Sequence, residues 1–317
     1  MGEVWRPDGG ASRAVLFGTA KYRSAELPAI PAVEANLHAL GERLSDPSRG
    51  LFSDRPRNCR AMGAAGKPIN SASVGSALAD AAREATDLLL VYYTGHGLLD
   101  HRGRLHLALA DTDPDPETVG FSAVQVESVL GLLGRARARA RVLIVDCCYS
   151  GRALAAMATE QSVITDQLKR SGTYTLTSTT RTELSFAPPG ERQTAFTGAL
   201  LRALEGPHAL TLDEIYTFVH DDLTGRDLPP PQRCAVNAAG NLALLRAPVR
   251  TGARHAADAD GGTGAAANRP VVPRPAPSTG SAVFVRPLEP PARKRWQRLP
   301  ARCCCWPWRR SSTACLC

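Results

Sequence analysis

The sequence predicts an α/β fold: a three-layer α/β/α sandwich with a mostly parallel central sheet. Three observations predict it. Short continuous apolar runs, "RAVLFG" at 13–18, "LLLVYY" at 88–93 and "VLIV" at 142–145, read as strands buried on both faces, since a one-sided sheet would alternate. Segments of helical period lie between them. Strands alternating with helices require crossover connections, hence parallel pairing under two helical layers.

Taken in order, the run 13–18 closes at Gly18 as the first strand. Residues 31–45 carry Val33, Leu37, Leu40 and Leu44 at helical spacing, with Pro31 at the start and Asp46-Pro47 as the stop. A weak strand is expected at Cys59–Met62 and a helix at Ser71–Glu84, with Asn70 as N-cap. After the strand 88–93 come a helix at Val124–Leu133 and the strand 142–145. A further helical region leads to a strand at 173–177, "TYTLT". Amphipathic segments at 194–205 and 211–222 follow, and "NLALLR" at 241–246 reads as a final strand. One domain is thus expected over 12–247.

Residues 248–317 differ in kind. They are rich in Pro, Gly, Ala and Arg, show neither period, and are expected to be disordered. They hold 12 of the 38 Lys and Arg but 3 of the 30 Asp and Glu. The formal charge of +8 therefore belongs to the tail, and the 26 bases and 27 acids before it nearly cancel. Nothing in that balance points to nucleic acid as a partner of the domain.

Five of nine cysteines crowd into Cys303–Cys317; the others are Cys59, Cys147, Cys148 and Cys234. Neither set has zinc-ligand spacing or the look of a secreted disulfide framework. The opening "MGEVWRPDGG" lacks an apolar signal region, and no run approaches the roughly 20 apolar residues of a membrane span. A cytoplasmic protein with reduced thiols is expected, with no membrane partner.

Parallel strands share a carboxyl edge, where ligands of open α/β sheets bind. "LLLVYY" runs into "TGHG" and "VLIV" into "DCCYSG", so His96 and the pair Cys147-Cys148 are expected just past two strand ends at that edge. A thiol beside an imidazole suits nucleophilic attack on a carbonyl. The thiolate is the reactive form, and the imidazole takes its proton and later returns one to the leaving amine. The backbone N–H of Gly97, together with that of the nucleophile, could serve a developing oxyanion.

These two stretches resemble the caspase–metacaspase superfamily of cysteine peptidases, bacterial caspase-like proteins included. The His-Gly motif matches His96-Gly97, and the Asp-x-Cys-x-Ser-Gly motif matches Asp146, Cys148, Ser150 and Gly151. Caspases place the histidine about 50 residues before the cysteine; here the two are 52 apart. "AVLFGTAKYRSAELPAIPAVEANLHAL" and "TAFTGALLRAL" share the likeness, which covers roughly Arg13 to Ala247.

The resemblance implies a caspase-like domain with Cys148 as nucleophile and His96 as acid/base, and Gly97 and Cys148 N–H groups as the oxyanion hole. Cys147 then faces away as a packing residue. Asp146 would sit in the S1 pocket and select Arg or Lys at P1, where a carboxylate grips a guanidinium; the plainer role is to cap the following helix. Tyr149 stands where many metacaspases have histidine, a position without a catalytic part.

Protein or peptide substrates with basic P1 follow. With a basic P1, any of Lys169, Arg170, Arg181 and Arg192 could be a self-processing site, and Glu183, in the loop after "TYTLTS", is left unassigned. No cofactor and no metal are expected, although calcium activation occurs among metacaspases; "DTDPDPE" at 111–117 lacks the glycine and final glutamate of an EF-hand. His101 is near enough to compete with His96. Two other classes compete: an idle caspase-like scaffold, which an arginyl ketone would fail to label, and a nucleotide-binding module, for which no Gly-rich phosphate loop is in place.

Overall fold

The structure is a computed structural model that describes residues 4–64, 68–149, 173–178, 188, 190–234 and 238–246; of residues 148, 149 and 238 it describes the backbone. Contacts divide the chain into Met1–Arg254 and His255–Cys317, and every described residue lies in the first unit. The expectations for the tail, Lys169, Arg170, Arg181 and Glu183 lie outside the described residues.

The strands are β1 (Arg13–Gly18), β2 (Cys59–Met62), β3 (Leu88–Leu99), β4 (Leu105–Leu107), β5 (Val124–Gln125), β6 (Ala140–Tyr149), β7 (Tyr174–Thr177) and β8 (Gln232–Cys234). They form one sheet in the order β2-β1-β3-β6-β7-β8, with β4 on β3 and β5 on β4. The main pairs from β2 to β7 are parallel, as crossover connections require, and β8 closes the edge antiparallel.

Among the described residues six helices flank it: α1 (Ala32–Ser45), α2 (Ser71–Glu84), α3 (Val119–Ser122), α4 (Val126–Arg135), α5 (Ala195–Glu205) and α6 (Leu212–Thr224). The period of two sorts the strand residues between two cores. Leu16, Leu90, Tyr92, Val142, Ile144 and Leu176 pack with α1, α5 and α6; Val15, Phe17, Val91, Tyr93, Leu143 and Val145 pack with α2 and α4. This is the three-layer sandwich. No helix among the described residues is long and apolar enough to cross a membrane.

Local chemistry accounts for the ends. Asn70 and Thr211 form capping boxes with Ser73 and Glu214, and Thr194 caps α5 through Thr197 N–H. Three sequence expectations are corrected. Strand β3 does not stop at Tyr93 but runs to Leu99, because β6 and β4 supply it with partners on both sides. The helix expected from Val124 starts at Val126, since Val124 and Gln125 pair with β4. Residues 241–246 make isolated bridges to Trp5, Thr211 and Gly50 in place of a strand.

Candidate active site

The extension of β3 alters where the expected residues sit. His96 and Cys148 lie within strands, not beyond them, and they are register partners: Thr94 pairs with Asp146, Gly95 with Cys147, His96 with Cys148 and Gly97 with Tyr149. Neighbouring strands run about 4.8 Å apart, so 52 residues of sequence separation close to adjacent backbones. Cys147, 2% exposed, packs with the α2/α4 core among Val145 and Tyr93.

His96 is held from several directions. Its ring is buried, and Nε2 lies 2.8 Å from the Pro28 carbonyl oxygen. A carbonyl only accepts, so Nε2 carries the hydrogen and donates it. In the neutral ring Nδ1 is then the basic nitrogen, and it has no hydrogen-bond partner among the described residues. Burial lowers the His96 pKa below its ordinary value, with the Pro28 carbonyl pulling the other way, so the ring is neutral near pH 7.

The His96 backbone is fixed as well. Its N–H donates to Tyr22 Oη at 3.2 Å, the Tyr22 ring centroid lies 4.9 Å from that of His96, and Tyr93 Oη donates to His96 O at 2.7 Å. Gly95, at φ +151°, makes room for this: a Cβ there would lie 2.5 Å from Tyr93 Oη.

His101, the competitor named from sequence, is half exposed in the β3–β4 turn, 3.7 Å from Glu117. His38 pairs with Glu42 on the exposed side of α1.

Asp146 is 7% exposed. Its Oδ2 accepts from Thr194 Oγ1 at 2.5 Å, Thr197 Oγ1 at 2.6 Å and, more weakly, Asn36 Nδ2 at 3.4 Å. Burial raises its pKa, while the hydroxyls of Thr194, Thr197 and Ser178 pull it down. Among the described residues it belongs to the joint between β6, α1 and α5; the helix-cap role expected of it falls on residues outside those described.

Beyond Pro28, a groove of about 930 Å³ runs along α1, lined by Ile30, Pro31, Glu34, His38, Glu191 and Arg192. Arg192 is exposed there. The acidic turn at 111–117 is internally satisfied, Asp113 accepting from Asp115 N and Thr118 Oγ1. No cluster of three or more metal-ligating side chains occurs among the described residues.

The caspase domain family model matches residues 12–238. The chain belongs to the caspase domain family. This is a family of cysteine peptidases that act on proteins, and the fold agrees. The crystal structure of caspase-1 from Spodoptera frugiperda is 13% identical, with a TM-score of 0.51, covering 76% of this chain and 92% of that one. The structure of pro-sf-caspase-1 is 13% identical, with a TM-score of 0.48, covering 75% and 91%. At such identity the likeness concerns the fold. No curated protein matches the chain.

Sequence reading missed Pro28, Tyr22 and Tyr93 around His96, and Asn36, Thr194 and Thr197 around Asp146. Asn36 carried a signal: it interrupts the apolar stripe of α1 between Val33 and Leu40, and a polar residue on a buried stripe needs partners.

Proposed function

We propose that this caspase-family chain is a cysteine endopeptidase cutting after Arg or Lys. Cys148 is the nucleophile and His96 the acid/base. The register partnership of His96 with Cys148, with a neutral imidazole whose unpartnered nitrogen is the basic one, carries this reading. His96 Nδ1 takes the thiol proton and the Cys148 sulfur adds to the scissile carbonyl carbon. The N–H groups of Gly97 and Cys148 receive the oxyanion. The C–N bond breaks as the imidazolium returns its proton to the amine, leaving a thioester. Water, deprotonated by His96, then attacks, and the carboxylic acid and thiol are regenerated.

Asp146 meets the basic P1 side chain, and its depth in the sandwich makes it the floor of the pocket. The groove along α1 receives further substrate residues, and exposed Arg192 is a self-processing site.

The test uses fluorogenic Arg, Lys and Asp peptides, with and without calcium, on wild type and Cys148→Ala. Cleavage after Arg and Lys, lost in Cys148→Ala, is expected. Failure of an arginyl acyloxymethylketone to label Cys148 would establish an idle scaffold instead.

A further inference from the structure

We propose that Asn36, Thr194 and Thr197 are specificity-positioning residues, which hold Asp146 as an ionised acceptor for a cationic side chain. The proposal rests on the reading of Asp146 as the floor of the P1 pocket. It adds which groups make that floor work.

The hydrogen-bond directions can be worked out one by one. The two Nδ2 hydrogens of Asn36 go to Thr94 Oγ1 and Thr194 Oγ1, both at 3.0 Å, and its Oδ1 accepts from Thr194 N at 3.2 Å. Thr194 Oγ1 thus already accepts from Asn36, and from Thr197 N at 3.3 Å. Its single hydrogen is left for Asp146 Oδ2. Thr197 Oγ1 spends its one hydrogen on the same oxygen, so Tyr92 Oη, 2.6 Å away, must donate to Thr197. Both threonine hydroxyl protons point toward Oδ2.

Such an arrangement suits a carboxylate and leaves a carboxylic proton no place on that oxygen. The N-terminus of the 11-residue helix α5, capped by Thr194, adds positive potential on the same side. Yet no described Lys or Arg forms an ion pair with Asp146. A joint that served packing alone would be met by a neutral asparagine, because hydroxyls and amides satisfy one another without a charge. Among the described residues the network holds that carboxylate in a buried place with no counter-ion beside it. The two threonine hydroxyls converge on Oδ2.

The experiment compares kcat/KM for matched peptides with P1 arginine and P1 citrulline, a neutral near-isostere, between pH 5 and 8. Thr197→Val keeps the side-chain shape and removes the donor; it should lower the arginine-to-citrulline ratio about tenfold, the worth of one hydrogen bond to a charged group, and shift the acid limb for the arginine peptide to higher pH. Thr197→Ser should restore both. A carboxyl-carbon NMR titration of Asp146, which requires no turnover, should move to higher pH in Thr197→Val and return in Thr197→Ser.

An unchanged titration in Thr197→Val overturns the proposal, as does an equal loss on both peptides. If Asp146→Asn collapses the ratio while Thr197→Val does not, the network idea falls and the pocket survives. If Asp146→Asn leaves the ratio of an active enzyme intact, the pocket reading itself is wrong.

Discussion

The β3–β4 turn offers a stability prediction whose size can be worked from the structure. Asp100 is buried, and its Oδ1 accepts from Arg102 N and Arg104 N, each at 2.9 Å. Its Oδ2 takes Arg104 Nε at 2.7 Å and lies 3.3 Å from His106 Nε2. Burial alone would raise its pKa, but these donors prevail and hold it at about 2, against an ordinary value of 3.8. A carboxyl depressed in the folded state contributes stability above its unfolded pKa and loses it as pH falls toward the folded one. The gap corresponds to about 2 kcal/mol at pH 7, falling to about 1 kcal/mol at pH 3. Asp100→Asn keeps an acceptor for the turn amides but removes the charge, so urea denaturation at pH 7 should show a loss of about that size. The deficit should be near half at pH 3. Leu98 and His106 are register partners across the turn, so amide exchange at Gly97 and Leu107 should quicken in the variant. A deficit that stays constant from pH 7 to pH 3 would refute the charge-based account.

Further outcomes follow from the same geometry. Because burial lowers the His96 pKa, the acid limb of kcat/KM should lie below about 6.5, and stability should fall as pH drops through that value, where the unfolded imidazole protonates and the folded one resists; His96→Gln should remove this stability slope in urea titrations. Gly95→Ala forces a Cβ toward Tyr93 Oη at a φ of +151°, and its thermal unfolding should reveal a loss of about 1–3 kcal/mol together with reduced labelling of Cys148. Leu37→Ala, fully buried against the sheet, should cost about 2–5 kcal/mol in urea. Thr211→Ala breaks the capping box of α6 far from His96 and should cost about 1 kcal/mol with peptidase kinetics unchanged.

The sheet was legible in the sequence where burial alone determines a strand. "LLLVYY" and "VLIV" are apolar on both faces and could sit nowhere else. Strands of two or three residues were not legible: β4, β5 and β8 exist because a neighbour offers hydrogen-bond partners, and for β8 that neighbour is remote in sequence. "TGHG" misled for the same reason. Its glycines read as a loop, but β6 on one side and β4 on the other extend the ladder through them. The motif brought His96 and Cys148 together correctly as neighbours while their strand ends were misplaced.

The residues around the two motifs were hidden by a different effect. Pro28, Tyr22 and Asn36 act on β3 and β6 from more than 50 positions upstream, through a loop and a helix that only the folded sheet brings near. The strand period still explains why this edge can be chemical. Along β6, Ile144 and Asp146 occupy one face and Val145 and Cys147 the other. One face stays apolar through Cys147, which is packed like any small hydrophobe. The other turns polar at Asp146, where Asn36, Thr194 and Thr197 replace the aliphatic neighbours that Ile144 has one step earlier. A carboxylate at that depth is tolerable only if its partners come from both flanking helices at once. The fold must therefore assemble α1 and α5 against β6 before Asn36, Thr194 and Thr197 can surround Asp146.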